Sequence, residues 1–207
     1  MKFGFTTALR AARISGLAAF ALCGCSGERA VTKEYLDPQT AVTVRAVATP
    51  TLYAHDAPEL AANVRDYLSV GAVELNNMGG RTHYLAVIAW STVDRKRIGA
   101  TPPPSSGTLK LKLGTQVREL APTTRDPRSI GVGLPLFRPA TGYLGETWYA
   151  VKVADLRLLA DATTPTLELS DGENSVTYTL WRDATPALAD FVRDIPETLT
   201  PANKRPR

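Results

Sequence analysis

From Ala41 the chain alternates apolar and polar positions with a period of two. Val42, Val44, Ala46 and Ala48 alternate with Thr43, Arg45 and Val47, the pattern of a half-buried strand. Thr49-Pro50 interrupts it, and Leu52 and Tyr53 resume it. Asp56-Ala57-Pro58-Glu59 then has the residues of a helix start. Asp56 can cap, Pro58 suits an early helical position, and Glu59 sits three residues after the cap. One or two helical turns are expected there, followed by a strand from about Tyr67 to Asn76. Asn76-Asn77-Met78-Gly79-Gly80 predicts a tight turn between two strands. The run His83–Trp90 is apolar on both faces, which marks the central strand of a packed sheet.

The second half repeats these signals. Residues 94–107 carry Pro102-Pro103-Pro104 and read as a loop. Leu109, Leu111 and Leu113 alternate with Lys110 and Lys112, the plainest one-sided strand in the chain. Residues 121–146 are rich in Pro, Gly and Arg, with a short apolar stretch at Val132–Phe137. Thr147, Tyr149, Val151 and Val153 alternate with Trp148, Ala150 and Lys152. A helical turn is expected over Asp155–Ala160. Leu167 and Leu169, the turn 171–174, and Val176, Tyr178 and Leu180 predict a hairpin. Thr185-Pro186 opens a short helix with Leu188, Phe191 and Val192 inward, and Pro196 ends it.

Seven or eight short strands at a spacing of roughly ten residues, without long helices between them, predict an all-β chain. The expected architecture is a single antiparallel β-sandwich, immunoglobulin-like, with one or two short helices. A closed lipocalin-like barrel ranks second. No internal repeat of fixed period is present.

The N-terminus follows a different logic. Lys2, Arg10 and Arg13 precede the apolar run Ile14–Leu22. Nine residues make about 14 Å of helix, roughly half a hydrocarbon core. A basic start, a short apolar stretch and small residues beyond it read as an export signal. Leu22-Cys23-Gly24-Cys25-Ser26 follows and resembles the lipobox of bacterial lipoproteins, with Leu three positions and Gly one position before the Cys. The body is similar to that of proteobacterial lipoproteins but carries no motif that names a functional family. The lipobox resemblance implies that Cys25 receives diacylglycerol on its sulfur, that cleavage follows before it, and that the new amine is acylated. Cys23 would put Leu22 at the cleavage position, so Cys25 is the expected site. Two or three acyl chains exceed the threshold that a single chain fails to reach. Ser26 rather than Asp after the lipidated Cys implies sorting to the outer membrane, on its periplasmic face. The expected organisation is therefore a signal peptide at 1–24, a lipidated tether at 25–40, a β-sandwich domain at 41–195 and a basic, Pro-containing tail at 196–207. Fully extended, the polar residues 26–40 reach about 50 Å.

Charge and cysteine content change meaning in this light. The net charge of +4 comes from the two ends; residues 25–203 carry 18 basic and 20 acidic side chains. A near-neutral body gives no reason to expect nucleic acid as a partner. Once Cys23 leaves with the signal and Cys25 carries lipid, no thiol remains for a disulfide or a thiolate metal site. No metal and no cofactor are expected.

The residues offer little chemistry. His55 and His83 are the only histidines, and neither lies in a nucleophile or metal motif. Gly131-Val132-Gly133 lacks the rest of a phosphate loop. No catalytic residue is assigned. Two groups suggest an interaction surface instead. One is a cationic patch of Arg95, Lys96, Arg97, Arg125, Arg128 and Arg138, provided that the loops carrying them meet. The other is an aromatic surface of Tyr143, Trp148 and Tyr149 beside Gly142 and Gly145. The expected function is a non-enzymatic interaction or accessory module of the cell envelope, in secretion or surface assembly. It is held to the membrane by lipid and partnered by an envelope protein. A lipid-anchored hydrolase and a small-ligand carrier in an open barrel are the alternatives.

Overall fold

The computed structural model describes residues 31–137 and 142–195. The lipobox, Arg138 and the basic tail lie outside them. Ten strands form one antiparallel sheet: β1 (Thr32–Leu36), β2 (Thr43–Val47), β3 (Thr51–Asp56), β4 (Arg65–Asn77), β5 (Gly80–Ser91), β6 (Thr108–Leu113), β7 (Gln116–Leu120), β8 (Tyr143–Ala150), β9 (Thr166–Ser170) and β10 (Ser175–Arg182). Among the described residues two α-helices, α1 (Val153–Asp161) and α2 (Thr185–Arg193), and a 3-10 turn over Pro127–Ile130 complete the fold. The all-β expectation holds, with the two short helices where the apolar spacing put them.

The thirteen-residue β4 organises the sheet. Along one edge it pairs with β5 over its whole length, from Asp66↔Ser91 to Asn77↔Gly80. Its other edge is shared. β2 takes the C-terminal half, from Ala46↔Val73 to Thr43↔Asn76, and β3 takes the N-terminal half, from Asp56↔Arg65 to Thr51↔Val70. From β3 the sheet continues through β10, β9 and β6 to β7, and β8 adds to the far side of β5. The sheet then curls. Thr123 N–H donates to the Trp148 carbonyl at 2.8 Å and Trp148 N–H to the Thr124 carbonyl at 2.8 Å, so the chain just after β7 meets β8.

Register assigns the side chains to two faces, because directly opposed residues point the same way. The concave face carries Leu68, Val70, Leu85, Val87, Tyr149, Tyr53, Tyr178, Leu109, Leu111, Leu167 and Leu169, all buried. Leu156 and Leu159 of α1 and Leu188 and Phe191 of α2 join this core. The space left between Val47, Tyr53, Leu85, Leu159 and Leu188 is about 10 Å³, room for one water at most. A carried ligand has no place there.

The convex face is covered on one half by residues 131–137. A Cβ on Gly71 would collide with Phe137 Cζ, so glycine is what lets the tip of that ring approach β4 so closely. Asp37 anchors the segment. Its carboxylate accepts from Gly133 N–H at 2.7 Å, Leu134 N–H at 3.2 Å and Gln39 N–H at 2.9 Å. Burial pushes the Asp37 carboxyl up, but these backbone donors outweigh it and hold the group below the usual carboxylate range. The Lys33 ammonium donates to the Leu136 carbonyl and sits 4.8 Å from the Phe137 ring centre.

Three expectations need correction. Thr32–Leu36, read as tether, is the edge strand β1, paired with β2 from Thr32↔Val47 to Leu36↔Thr43. Residues 57–64 form turns rather than a helix. Asp56 is drawn to Arg65 at 2.6 Å, and Ala57 N–H bonds the Val64 carbonyl at 2.9 Å, closing the β3–β4 hairpin. The strand Gln116–Leu120, unread in the sequence, pairs with β6 as β7.

Candidate functional site

Among the described residues no such segment covers the other half of the convex face, which carries aromatic rings. Ala54, Tyr67, Trp90 and Tyr143 are direct cross-strand neighbours on β3, β4, β5 and β8. Tyr67 and Trp90 stack with ring centres 4.2 Å apart and 17° between planes. Trp181 of β10 meets the same Tyr67 edge-on at 6.4 Å. The Trp90 indole N–H donates to Ser69 Oγ at 3.0 Å, which fixes its rotamer. The Arg65 guanidinium lies 4.3 Å from the Trp181 ring centre and is itself held by Asp56. Trp181 is 52% exposed and Tyr143 57%.

This row is ordered and apolar, yet open at both ends. Cross-strand aromatic pairs stabilise a sheet, which accounts for Tyr67 on Trp90. It does not account for half a tryptophan left in water. Trp, Tyr and Arg are also the residue types that dominate binding energy at protein interfaces. Burial first, then the Glu146 carboxylate, pushes the Tyr143 hydroxyl above its ordinary pKa, with Arg125 pulling the other way. Tyr143 therefore stays a neutral hydrogen-bonding group.

Of the aromatic surface expected from sequence, Tyr143 alone is at the surface. Trp148 and Tyr149 are fully buried. Trp148 packs edge-on against Tyr84 at 6.1 Å and donates its indole N–H to Glu146 at 2.7 Å. Tyr149 donates its hydroxyl to the Gly107 carbonyl at 2.9 Å inside the curl. β8 ends the sheet beside β5, but the chain just after β7 bonds to its outer edge, so alternating residues there face two packed layers rather than one.

The expected cationic patch divides. Arg95 is buried, ion-paired with buried Asp66 and donating to the Thr101 carbonyl at 3.1 Å. Lys96 and Arg97 are exposed, and Lys96 lines the same cleft as Tyr143. Arg125 lies near Tyr143, as its pull on the hydroxyl shows. Arg128 lies with Gly80 and Arg81 at the far end of β5, about 35 Å along that strand. Among the described residues of the expected patch, Lys96 and Arg125 lie beside Tyr143, while Arg95 is buried and Arg128 lies at the far end of β5.

The histidines are also apart. His55 is opposite Asp66 and His83 opposite Glu74, eight residues or about 26 Å along β4. His55 Nδ1 contacts the Thr177 carbonyl at 3.0 Å, and its ring lies edge-on to Tyr178. His83 Nε2 pairs with Glu74 at 3.1 Å. Neither is bonded to a Ser or Thr hydroxyl among the described residues.

Arg65, Tyr67, Trp90 and Trp181 escaped the sequence reading. A signal for Trp181 was available. The phase that puts Tyr178 and Leu180 inward puts Trp181 outward, where a tryptophan needs a reason. No family model, no curated protein and no solved structure matches the chain.

Proposed function

We propose that the protein is a lipoprotein of the outer membrane, held on the periplasmic face through Cys25. Its β domain acts as a non-enzymatic interaction module. The observation that carries the docking reading is the row Trp181–Tyr67–Trp90–Tyr143, with Arg65 at one end and Lys96 near the other. Large rigid rings on a sheet lose little conformational entropy when a partner covers them. The partner is an envelope protein that lays an apolar strip across the row. The immunoglobulin-like sandwich belongs to the same proposal: the arms β8-β5-β4 and β9-β6-β7 would be its two layers.

Photo-crosslinking side chains placed at positions 181 and 143 in the full chain, in cells, test this. The expected result is one adduct of the same mass from both positions. It is absent from a probe at the exposed Val117, which lies on β7 away from the row. Changing Trp90 to Ala should weaken the 181 adduct at least tenfold, the size of about 1.4 kcal/mol at a contact of this kind. Equal labelling at all three positions, or none at 181 and 143, overturns the docking surface.

A further inference from the structure

The concave face carries a second arrangement at the opposite end of β4. Glu34, Arg45, Glu74 and His83 are successive direct neighbours across β1, β2, β4 and β5. The row alternates acid and base. Each member is held from a further direction or left open in a way that differs along the row. Arg45 donates to the Phe191 carbonyl at 2.9 Å and to Asp194 at 3.1 Å, and its guanidinium lies 4.5 Å from the Phe191 ring centre. Glu74 is 4% exposed, with Arg81 on one carboxylate oxygen at 3.0 Å and His83 on the other at 3.1 Å. Glu34 and Asp194 are exposed carboxylates. Glu34, Arg45, Glu74, Arg81 and Asp194 line a cleft of about 370 Å³ whose walls are mostly polar, with Thr43 and Asn76 between the charges; His83 lies behind Glu74, outside the lining.

A buried carboxylate is costly unless paired, and here the Arg81 guanidinium and the His83 ring nitrogen share it at the floor of a cleft of ligand size. The cleft offers an apolar molecule nothing. A simple anion meets Glu34 and Asp194, and a simple cation meets Arg45 and Arg81. A molecule that carries both charges a few ångströms apart satisfies both sets. We propose that this cleft binds a small zwitterion of the phosphoethanolamine type. Its phosphate sits on the outer guanidinium face of Arg81 and its ammonium on Glu34 and Asp194. Planar guanidinium recognition of phosphate and charge-assisted ammonium–carboxylate bonds supply the contacts.

The chemistry is common to a lipid headgroup and to a free phosphoethanolamine. The anchor proposed above bears only on the source. Cys25 precedes Thr32 of this cleft by seven residues, a reach of at most about 25 Å. The two proposals fail separately, because the aromatic row lies on the other face.

The test is calorimetric titration of the detergent-solubilised full chain with glycerophosphoethanolamine. Saturable binding is expected, and Arg81→Gln and Glu34→Gln should each weaken it about tenfold or more. Both residues are on the surface side of the cleft, and unchanged thermal unfolding of the variants checks the fold. Glycerophosphocholine, which has no N–H donors, should bind at least about tenfold more weakly. Ethanolamine-phosphate without the glycerol should match glycerophosphoethanolamine if the free molecule is the source. Tighter binding of short-chain phosphatidylethanolamine would mark the lipid as the source. No saturable binding of any of these, equal binding of the choline compound, or binding untouched by both substitutions overturns the site.

Discussion

Asp37 is a charged residue in a fully buried position, and the reason is the backbone it serves. Gly133, Leu134 and Gln39 present N–H groups that no strand satisfies, and one carboxylate takes all three. The depressed pKa fixes the sign of a pH effect. A group whose folded pKa lies below its unfolded one contributes stability above the unfolded value, about pH 4 for Asp, and loses it as pH falls through the folded value. Asp37→Asn should therefore lower the unfolding temperature at pH 7, and the gap to the parent protein should shrink as pH drops below about 4. Thermal unfolding followed by circular dichroism at pH 7 and pH 3 measures it. A gap that stays constant or widens in acid means the carboxylate charge is not what holds the 131–137 segment. Arg95 shows the same limit of sequence at this scale. Within Asp94-Arg95-Lys96-Arg97 nothing separates one arginine from its neighbours. What singles Arg95 out is Asp66, buried some thirty positions earlier beside Ser91. A basic run is read as a solvated face, and that is right for Lys96 and Arg97 but blind to a distant buried partner.

At the scale of elements, legibility followed the number of covered faces. His83–Trp90, Leu109–Leu113 and Thr166–Arg182 were readable because packing against one or two layers imposes a period on the apolar residues. β1 and β7 were not. Each pairs with a single neighbouring strand in the sheet order, and an edge strand needs backbone bonds more than it needs apolar alternation. The expected helix after Asp56 failed for another reason. Its signals were local, and the β3–β4 register, with the Asp56–Arg65 ion pair, outweighed them. Two glycines test how tightly the elements meet. At Gly107, where φ is +125°, a Cβ would collide with the Ser170 carbonyl of β9. At Gly71 it would collide with the Phe137 ring, a side chain able to swing away. Gly107→Ala should cost more than about 2 kcal/mol, since strained φ and backbone overlap add. Gly71→Ala should cost about 1–3 kcal/mol, the range for overpacking. In the Gly71→Ala/Phe137→Ala double variant the two penalties should not sum, because the collision is gone. Urea unfolding of the four proteins reads this directly. Additive penalties would show that Phe137 does not rest on β4.

For the whole molecule, the curl of the sheet decides what each surface can do. It fills the interior, leaves the aromatic row facing outward at one end of β4, and opens the charged cleft at the other. It also draws β1 into the sheet, which shortens the link to Cys25. The fifteen residues read from sequence as a tether, with a reach of about 50 Å, reduce to a contour of at most about 25 Å before Thr32. A domain of this size has a radius of gyration of about 15 Å, so an anchored copy stays within roughly its own diameter of the bilayer. Both proposed surfaces are then presented close to the membrane. The anchor itself is the premise to test. Cys25→Ser should abolish incorporation of a clickable palmitate analogue and shift the protein from the membrane fraction to the soluble periplasmic fraction. Cys23→Ser should leave both unchanged, since on the proposed reading that residue leaves with the signal. Continued membrane association and labelling of Cys25→Ser, or loss of both in Cys23→Ser, would remove the lipid anchor. The short reach would then no longer constrain where the domain works.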